Sequence, residues 1–293
     1  MMIPRLHSIL CVLALALALT GNAAPLLSID FNHRTNNPAT TTFPGFTSFL
    51  ITSNISVTTD QTNATIRTID GYRITLTGNG LNRGYIDRSH PLPTNQAAFT
   101  ESLLLRDGIY CRDTTASGGL NLQIENLPPS NRVQVTVWSF DLLSEPIQAS
   151  DWYANGALVR YAYQFTNSVL PTSNEQYRFS FMATVSASGQ LLIQGRRNPM
   201  STNAVNIRHP GVFLNALRID PEPLEILTTE LNGNELRLTF VVRAQPAEYV
   251  VEETTGGQWQ TVNGVVYSGV VNNRVTARFA RPSGPRLYRV RYD

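Results

Sequence analysis

The stretch LNLQIENLPPSNRVQVTVW, residues 120–138, decides the fold class. Apolar residues occupy every second position from Leu120 to Ile124 and again from Val133 to Val137, with a Pro-rich turn between the two runs. A period of two is that of a β-strand with one buried face. Two such strands in succession predict a sheet that is buried on one side only, which is typical of a β-sandwich.

The same pattern recurs over the first 220 residues, where short runs rich in β-branched and aromatic residues are separated by Gly, Pro and Asn. The predicted strands are Leu27–Phe31, Phe46–Ile51, Tyr72–Thr77, Leu103–Arg106, Leu120–Glu125, Val133–Asp141, Leu158–Phe165, Arg178–Val185, Leu191–Gly195 and Phe213–Ile219. The polar stretches 32–42 and 78–100 are predicted to be loops on the rim of the sandwich, where binding residues are common.

A second domain is predicted after Pro221-Glu222-Pro223, because two prolines around one charge form a stiff linker. Short β-rich runs follow at Glu225–Leu231, Glu235–Val242, Tyr249–Glu253, Thr261–Val266, Arg274–Phe279 and Leu287–Val290, with a hairpin signal at Asn232-Gly233. The sequence thus predicts an all-β chain: a large jelly-roll sandwich at 24–220, a linker at 221–223, and a small immunoglobulin-like or fibronectin III-like sandwich at 224–293.

The first 23 residues have the pattern of a signal peptide. Arg5 and His7 precede an apolar run from Ile9 to Leu19, and small residues follow as far as Ala23, after which cleavage is expected. The run is far shorter than the roughly 20 residues that span a bilayer. We therefore expect a secreted, extracellular or periplasmic protein whose mature chain has no transmembrane segment.

Composition narrows the possible functions. The chain has 23 basic and 21 acidic residues, and every basic residue is Arg. Without Lys, Schiff-base and phosphate-loop chemistry are excluded, and the scattered arginines form no stripe of the kind that binds nucleic acid. Cys11 lies in the signal segment, so Cys111 has no partner for an internal disulfide.

Five stretches resemble the galactose-binding-domain-like jelly roll of secreted bacterial proteins, a shape shared by many carbohydrate-binding modules. They are Ile29–Asn32, Leu103–Tyr110, Leu120–Pro129, Val133–Asp141 and Phe213–Asp220. The resemblance implies that the first and the last of these stretches lie side by side, and it favours carbohydrate as the ligand. Residues 249–253, 258–262 and 286–290 resemble a small sandwich that often ends such secreted chains.

A cluster of aromatic and polar residues is the candidate ligand site. Aromatic rings stack on the flat C–H faces of sugars, while Asp and Asn bind the hydroxyl groups. The predicted ligand-binding residues are Trp138, Asp141, Asp151, Trp152, Tyr153 and Asn155. The alternative for the two tryptophans is packing in the core.

The jelly-roll resemblance also implies a structural calcium ion near the paired first and last strands. Asp30, Asn32, Asn215 and Asp220 are the candidate oxygen ligands. The alternative is that these side chains cap strand ends through hydrogen bonds. Zinc is disfavoured because His33, His90 and His209 are isolated in the sequence, and no cofactor is required.

Three functions remain open. The first is a non-catalytic recognition module that holds a glycan, and the second is a structural or adhesive protein that binds a cell-surface or matrix component. The third is a polysaccharide-degrading enzyme, which needs two carboxylates across a cleft. Its candidates are Asp87, Asp107, Asp141 and Asp151, with Asp107 and Asp141 as the first pair, although an ion pair between Arg106 and Asp107 is the favoured interpretation.

Overall fold

The structure is a computed structural model of the 293-residue chain. It describes residues 25–292 except 51–63, 80–84, 90–92, 97, 113–117, 143–146, 167–168, 201–210, 223–225, 242–248, 256–259, 273 and 285. The described residues form two compact units, one ending at Glu222 and the other starting at Ile226. The predicted signal peptide, His90, His209 and part of the predicted linker lie outside the described residues. Within the described part, no helix is long and apolar enough to cross a membrane.

The large unit contains fourteen described strands: β1 Leu27–Asn32, β2 Thr47–Leu50, β3 Thr65–Ile69, β4 Tyr72–Asn79, β5 Tyr85–Ser89, β6 Asp107–Arg112, β7 Gly119–Glu125, β8 Arg132–Trp138, β9 Gln148–Ala154, β10 Ala157–Phe165, β11 Arg178–Thr184, β12 Leu191–Arg197, β13 Gly211–Leu214 and β14 Ala216–Pro221. A short helix α1, Pro38–Thr41, and a 3₁₀ turn, Ser102–Leu105, lie between strands.

These strands form three sheets. A five-stranded sheet has the order β11-β8-β14-β1-β2, a six-stranded sheet has the order β10-β9-β12-β7-β4-β3, and a small sheet has the order β13-β6-β5. β1 and β2 are parallel, and the other described pairs are antiparallel. The first and last strands of the unit, β1 and β14, lie side by side as the resemblance implies. The all-β sandwich prediction is confirmed.

The alternating positions of the deciding stretch face the core. Val133, Val135 and Val137 on β8 are fully buried, as are the apolar residues of β7. Gly195 on β12 allows a close approach, because a Cβ atom there would lie 2.4 Å from Val212 Cγ1. The small sheet therefore packs directly against the inner side of the six-stranded sheet, beside Trp152.

Two of the predicted strands are wrong. Residues 102–105 form a 3₁₀ turn, and the strand begins only at Asp107. The predicted strand Phe213–Ile219 divides at Asn215 into β13 and β14, which belong to different sheets. Asn215 makes this division by using its side chain on the backbone of other segments, accepting from Phe140 N at 2.7 Å and donating to Asp107 O at 2.7 Å. Sequence alternation cannot reveal such a bond, because it links distant residues.

The small unit contains β15 Ile226–Asn232, β16 Glu235–Val241, β17 Tyr249–Thr254, β18 Gln260–Thr261, β19 Val266–Tyr267, β20 Arg274–Ala280 and β21 Leu287–Tyr292. They form sheets of the order β15-β16-β20-β19 and β18-β17-β21, around a core that includes Leu238, Phe240 and Phe279. The predicted hairpin is present, and Gly233 adopts the positive φ that its turn requires. The assignment of this unit to an immunoglobulin or fibronectin III class stays a prediction.

Candidate functional site

The two tryptophans of the predicted site are buried. Trp152 is 1% exposed, and its Nε1 donates to Ser150 Oγ at 2.9 Å inside the core. Trp138 is 4% exposed, packs edge-on against Phe46, and donates to Glu101 Oε2 at 2.8 Å. Neither ring is available to stack on a ligand, so the prediction that they form a sugar platform is corrected. Their size explains the outcome, because burying a large aromatic surface stabilises the fold more than exposing it.

Asp141 and Asn155 also have structural positions, since Asp141 is buried and the Asn155 side chain is bonded within the protein. Asp141 is 2% exposed and lines a cavity of about 10 Å³ with Gly108 and Asn215, which is space for one water molecule and not for a sugar. Asn155 is exposed in the turn between β9 and β10, at φ +47°. Its amide donates to Thr184 O and accepts from Leu192 N, so it fastens that turn to neighbouring strands.

Asp151 and Tyr153 face the other way. They alternate with buried Trp152 on β9, and therefore lie on the outer face of the six-stranded sheet, both partly exposed. The Asp151 carboxylate accepts from Ala162 N at 2.8 Å and from Asn198 Nδ2 at 2.7 Å. The hydroxyl of Tyr153 has no hydrogen-bond partner within the described part of the chain. Of the six predicted residues, Tyr153 is the one that presents an aromatic side chain with an unused polar group.

A row of polar side chains crosses this outer face from Tyr153. Gln194 stands opposite Tyr153 on β12, Asn121 stands opposite Gln194 on β7, and Thr77 stands opposite Asn121 on β4. Gln194 Nε2 donates to Asn121 Oδ1 at 3.2 Å, and Asn121 Nδ2 donates to Thr77 Oγ1 at 3.3 Å. We call these four residues the polar row. The bonds orient the amides, and the Gln194 carbonyl oxygen and the Thr77 hydroxyl proton have no hydrogen-bond partner among the described residues.

Arg196 joins the polar row from the next outward position of β12. Its Nη1 donates to the carbonyl oxygens of Leu120 and Gly195, each at 2.9 Å, and its Nη2 donates to Asn121 Oδ1. Burial lowers the pKa of Arg196, while the neighbouring Cys111 and Tyr153 raise it. Tyr153 and Arg196 are thus close enough to interact electrostatically on one surface.

Apolar groups border the polar row at the β10 edge of the sheet. Leu158, opposite Tyr153, is 52% exposed, and Tyr161 is 64% exposed. Tyr161 and Ala162 together occupy the position opposite Asp151, because the register of β10 shifts there. This edge combines exposed apolar surface with hydrogen-bonding groups, which is the mixture that a sugar-binding surface needs.

The four predicted calcium ligands do not form one site. Asp30 pairs with Ala216 in the β1–β14 ladder, whereas Asp220 lies four residues further along, at the opposite end. Asn32 Oδ1 accepts from Thr42 Oγ1, Asn215 Oδ1 accepts from Phe140 N, and Asp220 Oδ1 accepts from Arg218 Nε. Among the described residues, no group of three His, Cys, Asp or Glu side chains is placed to hold a metal ion. These residues therefore do not fit the implied calcium ion as a set, and they serve as hydrogen-bonding caps.

Asp30 itself is fully buried. Its carboxylate accepts from Phe43 N at 2.8 Å, and its Oδ1 atom has no hydrogen-bond partner in the described part of the chain. Burial raises the pKa of Asp30 to about 7, with a further increase from the charge of Asp107 and a decrease from the Phe43 hydrogen bond. Asp30 is therefore a buried acid that favours its protonated form.

Two of the four carboxylates considered for catalysis, Asp87 and Asp107, are buried against the segment that follows β1. Both oxygens of Asp107, which is 0% exposed, accept from Asn36 Nδ2. Asp87 accepts from Arg34 N, and His33 Nε2 lies 3.6 Å from it. Arg106 Nε lies 3.9 Å from Asp107 Oδ1, as the ion-pair interpretation predicts. Neither Asp107 nor Asp141 faces an open cleft in the described structure, so glycoside hydrolysis by this pair is not supported.

Comparisons with known proteins identify no family. No family model and no curated protein matches the chain. Among solved structures, the complex of the plant peptide RALF23 with FER and LLG2 aligns at 10% identity and a TM-score of 0.36, over 74% of this chain and 48% of that one. This chain thus spans about half the length of that structure.

Two carbohydrate-binding modules also align. The CBM22-1 xylan-binding domain of Xyn10C from Paenibacillus barcinonensis aligns at 15% identity and a TM-score of 0.29, over 50% of this chain and 92% of that one. A family 35 module from Clostridium thermocellum aligns at 14% identity and a TM-score of 0.25, over 54% and 97%. With all three TM-scores below 0.5, these likenesses decide neither the fold nor the function of this chain.

Three of the four residues of the polar row, and Arg196 beside it, are not among the residues predicted from the sequence. Thr77, Asn121, Gln194 and Arg196 occupy the outward positions of alternating strands, where polar residues are the norm. The signal that the sequence offers is the residue type, because Asn, Gln and Arg side chains at outward positions can form several hydrogen bonds. The strand order that brings β4, β7, β12 and β9 together is invisible in the sequence.

Proposed function

We propose that this chain is an exported, non-catalytic recognition protein whose large unit binds carbohydrate on the outer face of the six-stranded sheet. The observation that carries the proposal is the polar row, in which Tyr153 and three further hydrogen-bonding side chains line up across four adjacent strands. The apolar run at residues 9–19 supports export.

The spacing of the row suits a chain of sugars. Neighbouring strands lie roughly 4.8 Å apart, so the four residues span about 14 Å. That length accommodates more than one sugar ring and supplies a hydroxyl-binding group at each strand. Exposed Tyr161 and partly exposed Tyr153 supply aromatic surface at one end of the row.

The test is a binding assay of the purified protein on a glycan array, repeated with Tyr153→Ala. We expect the wild type to bind and the variant to bind about ten-fold more weakly, because one stacked aromatic ring contributes up to about 1.5 kcal/mol beyond its buried area. Ile66→Ala is the matched control, since Ile66 is exposed on β3 of the same sheet, four strands from β9. Equal weakening by both variants would place the site elsewhere.

A protein ligand is the second candidate, and the β10 edge favours it. Leu158, Tyr161, Val169 and Leu170 are all about half exposed along β10 and the segment that follows it. Exposed apolar surface of this kind also serves adhesion between proteins. An array on which no glycan binds, together with intact folding of the protein, would favour this adhesive function.

A further inference from the structure

Arg196 is a partly buried cation without a carboxylate partner. The described part of the chain places no Asp or Glu within ion-pair distance of its guanidinium, and every polar contact of the group is to a neutral oxygen. Buried charges in proteins are ordinarily paired, because an unpaired one loses hydration without compensation. An unpaired guanidinium on a proposed binding face therefore requires an explanation.

The acidic residue opposite Arg196 in the sheet does not pair with its guanidinium. Asp151 stands directly opposite Arg196 in the β9–β12 ladder. Its Oδ1 instead accepts from Ala162 N and Asn198 Nδ2, and it forms no ion pair with Arg196. Arg73, a second arginine on this sheet, shows the contrast, since its Nη1 lies 2.7 Å from Glu125 Oε2.

The contacts of Arg196 fix its orientation and leave donors unused. A guanidinium has five N–H groups. Two on Nη1 bind the carbonyl oxygens of Leu120 and Gly195, and one on Nη2 binds Asn121. Among the described residues, the Nε donor and the second Nη2 donor have no acceptor, and two donors are what a carboxylate or a sulfate ester accepts from one guanidinium.

Tyr153 adds a neutral contact beside this charge. Its hydroxyl has no hydrogen-bond partner in the described residues, and it is near enough to Arg196 to affect the ionisation of the guanidinium. A sugar ring held against Tyr153 would place an acidic substituent beside Arg196.

We infer that the glycan bound by this face is acidic, and that Arg196 pairs with the carboxylate of a uronic acid or with a sulfate ester. This inference rests on the proposed function, and it adds the class of ligand and the residue that selects it. Arg196 binds the ligand's anionic group, while the polar row binds its hydroxyl groups.

The test compares matched polymers that differ only in charge. Wild-type protein is titrated with polygalacturonate and with its carboxyl-reduced form, and separately with dextran sulfate and with dextran. We expect at least one acidic polymer to bind about ten-fold more tightly than its neutral partner, since a charge-assisted bond is lost with the charge. The pair that shows the difference identifies carboxylate or sulfate as the anion.

Variants assign the charge dependence to one residue. Arg196→Gln is expected to abolish the preference for the acidic polymer while keeping affinity for the neutral one. Arg73→Gln, which removes an arginine already paired with Glu125, is the matched control and is expected to keep the preference. Thermal unfolding checks that Arg196→Gln is folded, and the wild-type comparison of polymers does not depend on any variant.

The outcomes separate the two proposals. Equal affinity of the wild type for acidic and neutral polymers would overturn the acidic-ligand inference and leave carbohydrate binding intact. A preference that survives in folded Arg196→Gln would overturn the role of Arg196. Absence of binding to these four polymers and to the array would overturn both proposals.

Discussion

The two main sheets of the large unit differ in what covers their outer faces. On the five-stranded sheet, Trp138 and Asp30 point outward from β8 and β1, but Phe46 packs against Trp138 and the backbone at Phe43 contacts Asp30. On the six-stranded sheet, Tyr153 and Arg196 point outward and stay partly exposed. Each face carries one of these aromatic residues and one of these ionisable residues, and the pair on the six-stranded sheet is the one exposed to solvent.

The difference shows why residue type alone does not locate a site. At the covered face, Trp138 is bound by Glu101, which itself pairs with Arg178 at 3.0 Å, so these groups contribute to stability. At the open face, Tyr153 and Arg196 retain donors that no described residue accepts from. A polar group with an unused donor at an accessible surface is available to a ligand, whereas a saturated one is not.

The largest expected effect is a difference in stability between variants of buried Trp152 and partly exposed Tyr153. Trp152→Ala is expected to lower the free energy of unfolding by about 3–5 kcal/mol, because it leaves a cavity in the core. Tyr153→Ala, one residue along the same strand, is expected to lower it by less than about 1 kcal/mol. Denaturant unfolding followed by tryptophan fluorescence or circular dichroism measures both. Similar losses for the two variants would mean that Tyr153 also belongs to the core.

The next effect is the pH dependence of stability that Asp30 causes at the covered face of the five-stranded sheet. The pKa of Asp30 is raised to about 7 in the folded state from an ordinary value of 3.8. A raised folded pKa contributes stability that is complete below pH 3.8 and is lost as the pH rises through about 7. The wild type is therefore expected to lose on the order of 3–4 kcal/mol from this group between pH 4 and pH 8.

Asp30→Asn is expected to remove that loss, since Asn keeps an oxygen for the Phe43 N–H group and carries no charge. The measurement is the free energy of unfolding of both proteins at several pH values between 4 and 8. Asp220→Asn is the control, because Asp220 is partly exposed and paired with Arg218 at 2.7 Å. Parallel pH profiles for wild type and Asp30→Asn would contradict a pKa of about 7 for Asp30.

The smallest expected effect is a change in glycan affinity at the open face of the six-stranded sheet. Thr77→Val removes the hydroxyl that accepts from Asn121 at the far end of the polar row while keeping the shape of the side chain. We expect glycan affinity to fall by only about two- to five-fold, as the loss of one neutral hydrogen bond of about 0.5–1 kcal/mol implies. Isothermal titration measures the affinity, and Thr68→Val is the control because Thr68 is exposed on β3 of the same sheet. A loss as large as that of Tyr153→Ala would move the centre of the site to β4.

The sequence by itself determined that the chain is built of strands with one buried face, but it did not predict β3, β9 or β5, the last of which lies in a predicted loop. The alternation at 120–138 fixed β7 and β8, because a period of two leaves one face apolar and the other polar. It also marked Tyr153 and Asp151 as neighbours of a turn. It failed for Leu103–Arg106, where local backbone hydrogen bonds form a 3₁₀ turn, and for the break at Asn215, where side-chain hydrogen bonds to distant segments override the local pattern.

Only the tertiary structure decided which aromatic residues are buried and which polar residues meet. Trp152 and Tyr153 are adjacent in the chain and point to opposite sides of one strand. Thr77, Asn121, Tyr153 and Gln194 come from four separated segments and become a row through strand order. Local preference acts over a few residues, whereas strand pairing and the cover over a face depend on contacts between distant parts of the chain, and those contacts created the candidate site.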